Sequence, residues 1–129
     1  MKKENIFIID TSVWIEYFRH GKGEIFDLME KLIDENMVLL CGPVEMEILS
    51  GLRLNEQKQI SEILNLLPFS NSEREDYRLA GKMFNDLKKK GITVPPIDCL
   101  IAAIAIRRGA KVLTLDKHFK YFDALETNL

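Results

Sequence analysis

Three short apolar runs, Ile6 to Ile9, Met37 to Cys41 and Lys111 to Leu115, limit the possible folds most, because none alternates polar with apolar residues as a half-exposed strand does. Strands of this kind are buried on both faces, and a sheet built from them needs helices on each side. The intervening segments supply those helices. Ile25, Leu28, Met29, Leu32 and Ile33 form one apolar stripe at helical spacing, and Ile60, Ile63, Leu64 and Leu67 form another. Ser72 with Glu75 reads as a capping box ahead of Tyr77, Ala80, Phe84 and Leu87, and Gly91 suits the C′ position that closes that helix. Pro95-Pro96 opens a further helix from about Ile97 to Arg108, ended by Gly109, whose apolar stretch Leu100 to Ile106 marks it as buried. Strands separated by helices imply βαβ crossovers. The expected architecture is therefore α/β, with three α/β/α layers around a central, mainly parallel sheet.

The chain has 129 residues, a usual length for one domain, and no repeat or linker divides it, so residues 1–129 read as a single unit. The breaks at His20-Gly21-Lys22-Gly23 and Ser70-Asn71-Ser72 are only loop-sized. Cys41 and Cys99 lie in apolar surroundings, as buried free thiols do, which fits a reducing, cytoplasmic compartment. The run Leu100 to Ile106 is far shorter than the ~18 residues of a membrane span, and Ile6 to Ile9 stops at Asp10 before it reaches the length of a signal-peptide core. No membrane association is expected. A formal net charge of −2 lacks the basic footprint common in nucleic-acid binders, so any polyanion must be held by local patches. The candidate patches are Lys88-Lys89-Lys90, Arg107-Arg108 with Lys111, and Lys117 with Lys120.

The acids carry the chemistry. Asp10 directly follows the first run, Asp116 directly follows the last, and Asp98 falls in the first turn of the helix opened by the prolines. In open parallel sheets ligands bind beyond the carboxyl ends of the strands, where these three meet. Glu47, on the helix after the second run, reaches the same edge; Glu45, two positions away and ~200° round the axis, faces elsewhere. Each Asp also suits a helix N-cap, which is the ordinary role of an acid between strand and helix. Two carboxylates ~5 Å apart repel by about 3 kcal/mol at an effective dielectric of 20, so a cluster calls for a cation. All-oxygen donors select hard ions such as Mg²⁺ or Mn²⁺. Cys41, Cys99, His20 and His118 have no zinc-site spacing. Such a centre suits phosphodiester hydrolysis, since a metal activates water and stabilises the leaving oxygen. No glycine-rich phosphate loop and no G-x-S-x-G elbow is present. Ser12 and Thr114 flank the acids and are placed to hydrogen-bond them. Trp14, Tyr17 and Phe18 read as core, and His118 as a surface or loop residue without a partner.

The segments Ile8-Ile9-Asp10-Thr11-Ser12-Val13-Trp14-Ile15, Glu47-Ile48-Leu49-Ser50-Gly51, Asp98-Cys99-Leu100-Ile101-Ala102-Ala103 and Leu113-Thr114-Leu115-Asp116-Lys117-His118-Phe119 together resemble the PIN-domain family, and more narrowly the VapC-type toxins of type II toxin–antitoxin pairs. The resemblance runs from Ile6 to Phe122. It implies an α/β/α PIN-like fold and a Mg²⁺- or Mn²⁺-dependent endoribonuclease. Asp10, Glu47, Asp98 and Asp116 match its acidic, metal-binding quartet, and Ser12 and Thr114 match supporting hydroxyls. Where some members carry a further acid, this chain has Lys117-His118-Phe119. The family further implies an RNA substrate, a homodimer, and a cognate VapB-type antitoxin whose C-terminal segment blocks the groove. An antitoxin Arg entering the acidic site would supply the charge the cluster lacks without metal.

Two other readings compete. A catalytically silent PIN-fold module would bind RNA or a partner without cleaving. A haloacid-dehalogenase-like phosphatase also begins with Asp after a buried strand, but needs a second acid where this chain has Ser12; a receiver domain would need paired acids on its first strand.

Overall fold

The computed structural model describes residues 5–122 and 127–128. The elements run β1 (Phe7–Ile9), α1 (Thr11–His20), α2 (Glu24–Asp34), β2 (Val38–Cys41), α3 (Gly42–Ser50), α4 (Gln57–Asn65), β3 (Phe69–Ser70), α5 (Arg74–Lys89), α6 (Pro96–Arg108), β4 (Lys111–Leu113), a 3-10 turn (Lys117–Tyr121) and β5 (Thr127–Asn128). The strands form one sheet in the order β3-β2-β1-β4-β5, with every neighbouring pair parallel. Phe7, Ile8 and Ile9 are all buried although successive side chains on a strand point to opposite faces, so helices cover both sides of the sheet. This is the expected three-layer α/β/α arrangement.

The three apolar runs become the three central strands, each shorter than its run. Ile6 lies outside β1 and is exposed, and Thr114 and Leu115 leave β4 for the turn that follows. β3 was not expected. Ser70 belongs to it rather than to a loop, because Leu40 and Cys41 of β2 pair with Phe69 and Ser70. An edge strand two residues long needs no apolar run of its own, since one neighbour supplies its ladder.

α6 is the central helix of the core. Ile101, Ala102, Ala103, Ile104 and Ala105 are fully buried, so it has no polar face, and Gly109 ends it in the left-handed conformation. α5 also ends as expected, with Ile92 N–H returning to Leu87 O at 3.0 Å past the left-handed Gly91. Its start differs by one residue: Glu73 rather than Ser72 is the N-cap, and Asp76 rather than Glu75 accepts the Glu73 N–H, at 2.7 Å. That shift places Asp76, fully buried, beneath two arginines of α6. Arg107 Nη1 reaches Asp76 Oδ1 at 2.7 Å, and Arg108 grips both carboxylate oxygens, with Nη2 to Oδ2 at 2.8 Å. Arg108 also donates to Ser70 Oγ at 3.0 Å and Asn71 O at 2.8 Å, tying β3 to the α5–α6 pair. The register is thus decided by tertiary ion pairing. Tyr77 is turned out to solvent, while Ala80 and Leu87 face the core.

Trp14 is buried and stacks on Phe18, with ring centroids 5.4 Å apart, so Trp14 is core as expected, while Tyr17 and Phe18 are half-buried and pack against the core. Cys41 and Cys99 are buried free thiols, and burial pushes the Cys41 thiol up to about 11. Among the described residues no helix is long and apolar enough to cross a membrane.

Candidate active site at the carboxyl edge of the sheet

Strand register assembles the first part of the site. Ile9 pairs with Leu113, so the next residues, Asp10 and Thr114, leave the sheet side by side. β1 is also where the strand order reverses: the chain goes outward to β2 and β3 on one side and returns to β4 and β5 on the other. Crevices in open parallel sheets form at such a switch point.

Asp10 is 4% exposed. It stands at the N-cap of α1, yet its carboxylate caps nothing. The carboxylate instead accepts the Ser12 hydroxyl at 2.8 Å and the Thr114 hydroxyl at 2.9 Å, both on Oδ2. Each hydroxyl also accepts a backbone N–H from the β4 exit, Leu115 to Ser12 at 3.2 Å and Asp116 to Thr114 at 2.8 Å. Ser12 and Thr114 therefore fix both the Asp10 carboxylate and the backbone leading to Asp116.

Asp116 does cap. Its Oδ1 accepts the His118 N–H at 2.9 Å at the head of the 3-10 turn, and it still lies in the cluster. Glu47, on α3, is held by the Thr11 hydroxyl at 2.8 Å from Oε1. Asp98 is 6% exposed and its side chain accepts no hydrogen bond among the described residues. Burial pushes its carboxyl up to about 6, followed in effect by the charges of Asp116, Asp10 and Glu47, with His118 opposing. The other three acids singled out in the sequence thus all act electrostatically on Asp98.

Two residues of the site were missed in the sequence. Thr11, which orients Glu47, carries no signal beyond its place beside Asp10. His118, set aside as lacking a partner, has its Nδ1 3.0 Å from Asp116 Oδ1 and 3.5 Å from Asp98 Oδ2. Neither contact has hydrogen-bond geometry, and the atom is closed to solvent. A signal was available: in a tight turn capped by Asp116, the residue two positions on folds back over its cap.

One ligand atom each from Asp98, Asp116 and His118 lie within 4.8 Å of one another. Crowded carboxylates, a carboxyl raised toward neutrality and an orphaned buried nitrogen all fit a divalent cation, which would offset the repulsion and give Nδ1 a partner. Beside the oxygens of Asp98 and Asp116, the grouped atoms include that nitrogen. Arg107 and Arg108 are committed to Asp76, so this patch is not a free polyanion surface. Ser12 stands where an aspartyl-phosphate chemistry would need an acid, and its hydroxyl serves Asp10.

A PIN domain family model matches residues 7–125. Ribonuclease VapC11 of Mycobacterium tuberculosis is 39% identical over 120 residues, covering 88% of this chain and 89% of the relative. Ribonuclease VapC1 of Methanocaldococcus jannaschii is 27% identical over 126 residues, covering 97% of this chain and 85% of the relative. Among solved structures, VapBC2 from Rickettsia felis bound to a DNA fragment from its promoter superposes with a TM-score of 0.80 at 22% identity, covering 95% of this chain and 97% of that one.

Proposed function

The chain belongs to the PIN-domain family and, within it, to the VapC ribonucleases, and on that footing we propose that it is the endoribonuclease toxin of a VapBC-type pair, working with Mg²⁺ or Mn²⁺ held by Asp10, Glu47, Asp98 and Asp116. The observation that carries this reading is the gathering of Asp116, Asp10 and Glu47 around the buried Asp98, whose carboxyl is pushed up to about 6 by burial first and by their three charges next. An uncompensated cluster of this kind is costly unless a cation completes it.

Bound divalent metal supplies positive charge that activates a water for attack on phosphorus and offsets charge on the leaving oxygen. This chain's residues do the rest. Ser12 and Thr114 lock Asp10 in one orientation, Thr11 does the same for Glu47, and the cap to His118 N–H fixes Asp116. Donors fixed before the substrate arrives need no reorganisation when it does. Asp98, whose side chain has no hydrogen-bond partner among the described residues, is the acid most dependent on the cation. The substrate is RNA, and the partners are a cognate VapB-type antitoxin and a second copy of the chain, in the cytoplasm. Sequestering the acidic site beneath the antitoxin, by an inserted arginine, would supply the missing positive charge and block metal-dependent cleavage together.

The test is cleavage of total cellular RNA by the purified chain, with new RNA ends mapped. Ends that appear with Mg²⁺ or Mn²⁺ and vanish with chelator and in Asp98→Asn support the reading. Ends made equally by Asp98→Asn oppose the site. A folded, metal-loaded chain that makes none opposes the activity and favours the silent module.

A further inference from the structure

We propose that His118 Nδ1 is a direct ligand of the cation, so that Asp98, Asp116 and His118 form a mixed oxygen–nitrogen set that favours transition-metal divalents such as Mn²⁺ and Co²⁺ over Mg²⁺. The inference rests on the cation-dependent reading above.

Geometry is the first support. Donors about 2.1 Å from one ion in adjacent coordination positions lie about 3 Å apart. His118 Nδ1 is 3.0 Å from Asp116 Oδ1 and 3.5 Å from Asp98 Oδ2, and the three donor atoms stay within 4.8 Å of one another. The second is the state of the nitrogen. Nδ1 is closed to solvent without a hydrogen-bond partner among the described residues, a condition that is costly for a buried polar atom. A cation shared with the two carboxylates removes that cost. The third is that the His118 backbone is anchored on both sides. The His118 N–H is bound to Asp116 Oδ1 at 2.9 Å, and the next residue, Phe119, is fully buried with its ring 6.1 Å from that of Phe122. The imidazole is therefore presented by a turn anchored to the core.

Donor chemistry gives the selectivity. Carboxylates and water suit Mg²⁺, whereas imidazole raises affinity along the series from Mn²⁺ to Co²⁺ and beyond. His20 is the other histidine, on the exposed end of α1 and paired with Glu16, so nitrogen coupling at the metal would report His118.

The test is pulsed electron paramagnetic resonance of the Mn²⁺-loaded full chain at pH 8, alongside Co²⁺ and Mg²⁺ affinities, for wild type, His118→Ala, His118→Gln and Asp98→Asn. The expected result is ¹⁴N modulation in wild type, lost in both His118 variants, with Co²⁺ affinity down about 10-fold or more and Mg²⁺ affinity changed less than about 3-fold. Mn²⁺ bound in wild type and lost in Asp98→Asn, but without ¹⁴N modulation, overturns the ligand assignment and leaves the cation site standing. Unchanged Co²⁺-to-Mg²⁺ preference in both His118 variants also overturns it, and makes His118 a neighbour of the site rather than a ligand. No Mn²⁺ binding by wild type overturns both readings.

Discussion

The Thr114 hydroxyl donates to Asp10 Oδ2 at 2.9 Å across 104 positions of sequence, joining the ends of β1 and β4. Because the Thr114 Oγ1 also accepts the Asp116 N–H at 2.8 Å, one side chain sets the orientation of one acid and the path to another. Thr114→Val keeps the shape and removes both bonds. Metal affinity should fall about 10- to 100-fold, as it does when residues that orient metal ligands are lost, with a stability loss of about 1–3 kcal/mol. Calorimetric Mn²⁺ titration and urea unfolding check the two parts; unchanged affinity would mean that Asp10 needs no such support.

Asp98 predicts a pH dependence whose sign is fixed. Its carboxyl is raised to about 6 in the folded chain, so between pH 4 and 6 the folded state holds a proton that the unfolded chain has released, and metal-free stability falls as pH rises. Asp98→Asn should match wild type below about pH 4 and exceed it by about 2–3 kcal/mol above pH 6. Metal affinity should rise through the same interval and level off beyond it. Urea unfolding across pH 3.5–8 reads the difference between the two proteins, which cancels the other acids.

Asp76 runs the other way. Hydrogen bonds from Arg108 are the largest influence holding its carboxyl far below the usual range, so its contribution is complete above about pH 4 and is lost as pH falls further. Asp76→Ala leaves two arginines facing a buried gap and should destabilise the fold by about 3–5 kcal/mol. Metal affinity per folded molecule should stay within about 2-fold, since Asp76 lies outside the acidic cluster. A large change in that affinity would connect this clamp to the site.

Glu47→Gln separates charge from shape. The amide oxygen still accepts from Thr11, so the fold should hold, while the cluster loses one negative charge. Metal-free stability should rise slightly, and Mn²⁺ affinity and RNA cleavage should both fall by about 10-fold or more. Cleavage and affinity equal to wild type would remove Glu47 from the set.

The parts of the fold legible in the sequence are those with dense apolar signals. The runs at β1, β2 and β4 and the all-apolar centre of α6 leave few alternatives, and Asp10, Asp98 and Asp116 gain their meaning from where those elements end. β3 was illegible because Phe69 and Ser70 take their pairing from β2, and the start of α5 because Asp76 answers to Arg107 and Arg108, 31 and 32 positions away. His118 was missed for a related reason: its partners lie partly across the fold, and only the turn at Asp116 brings them together.

The cation site is tested most directly by thermal unfolding of wild type and Asp98→Asn with and without Mn²⁺, which needs no knowledge of the RNA. Saturation at about 100 times the dissociation constant adds about 2.7 kcal/mol, or several degrees for a domain of this size. Wild type should gain that shift, while Asp98→Asn should melt higher than wild type without metal and gain little with it. Pro95, not Asp98, is the N-cap of α6, and the Asp98 side chain caps no amide among the described residues, so four nearly equal melting temperatures would contradict a carboxylate cluster built to hold a cation.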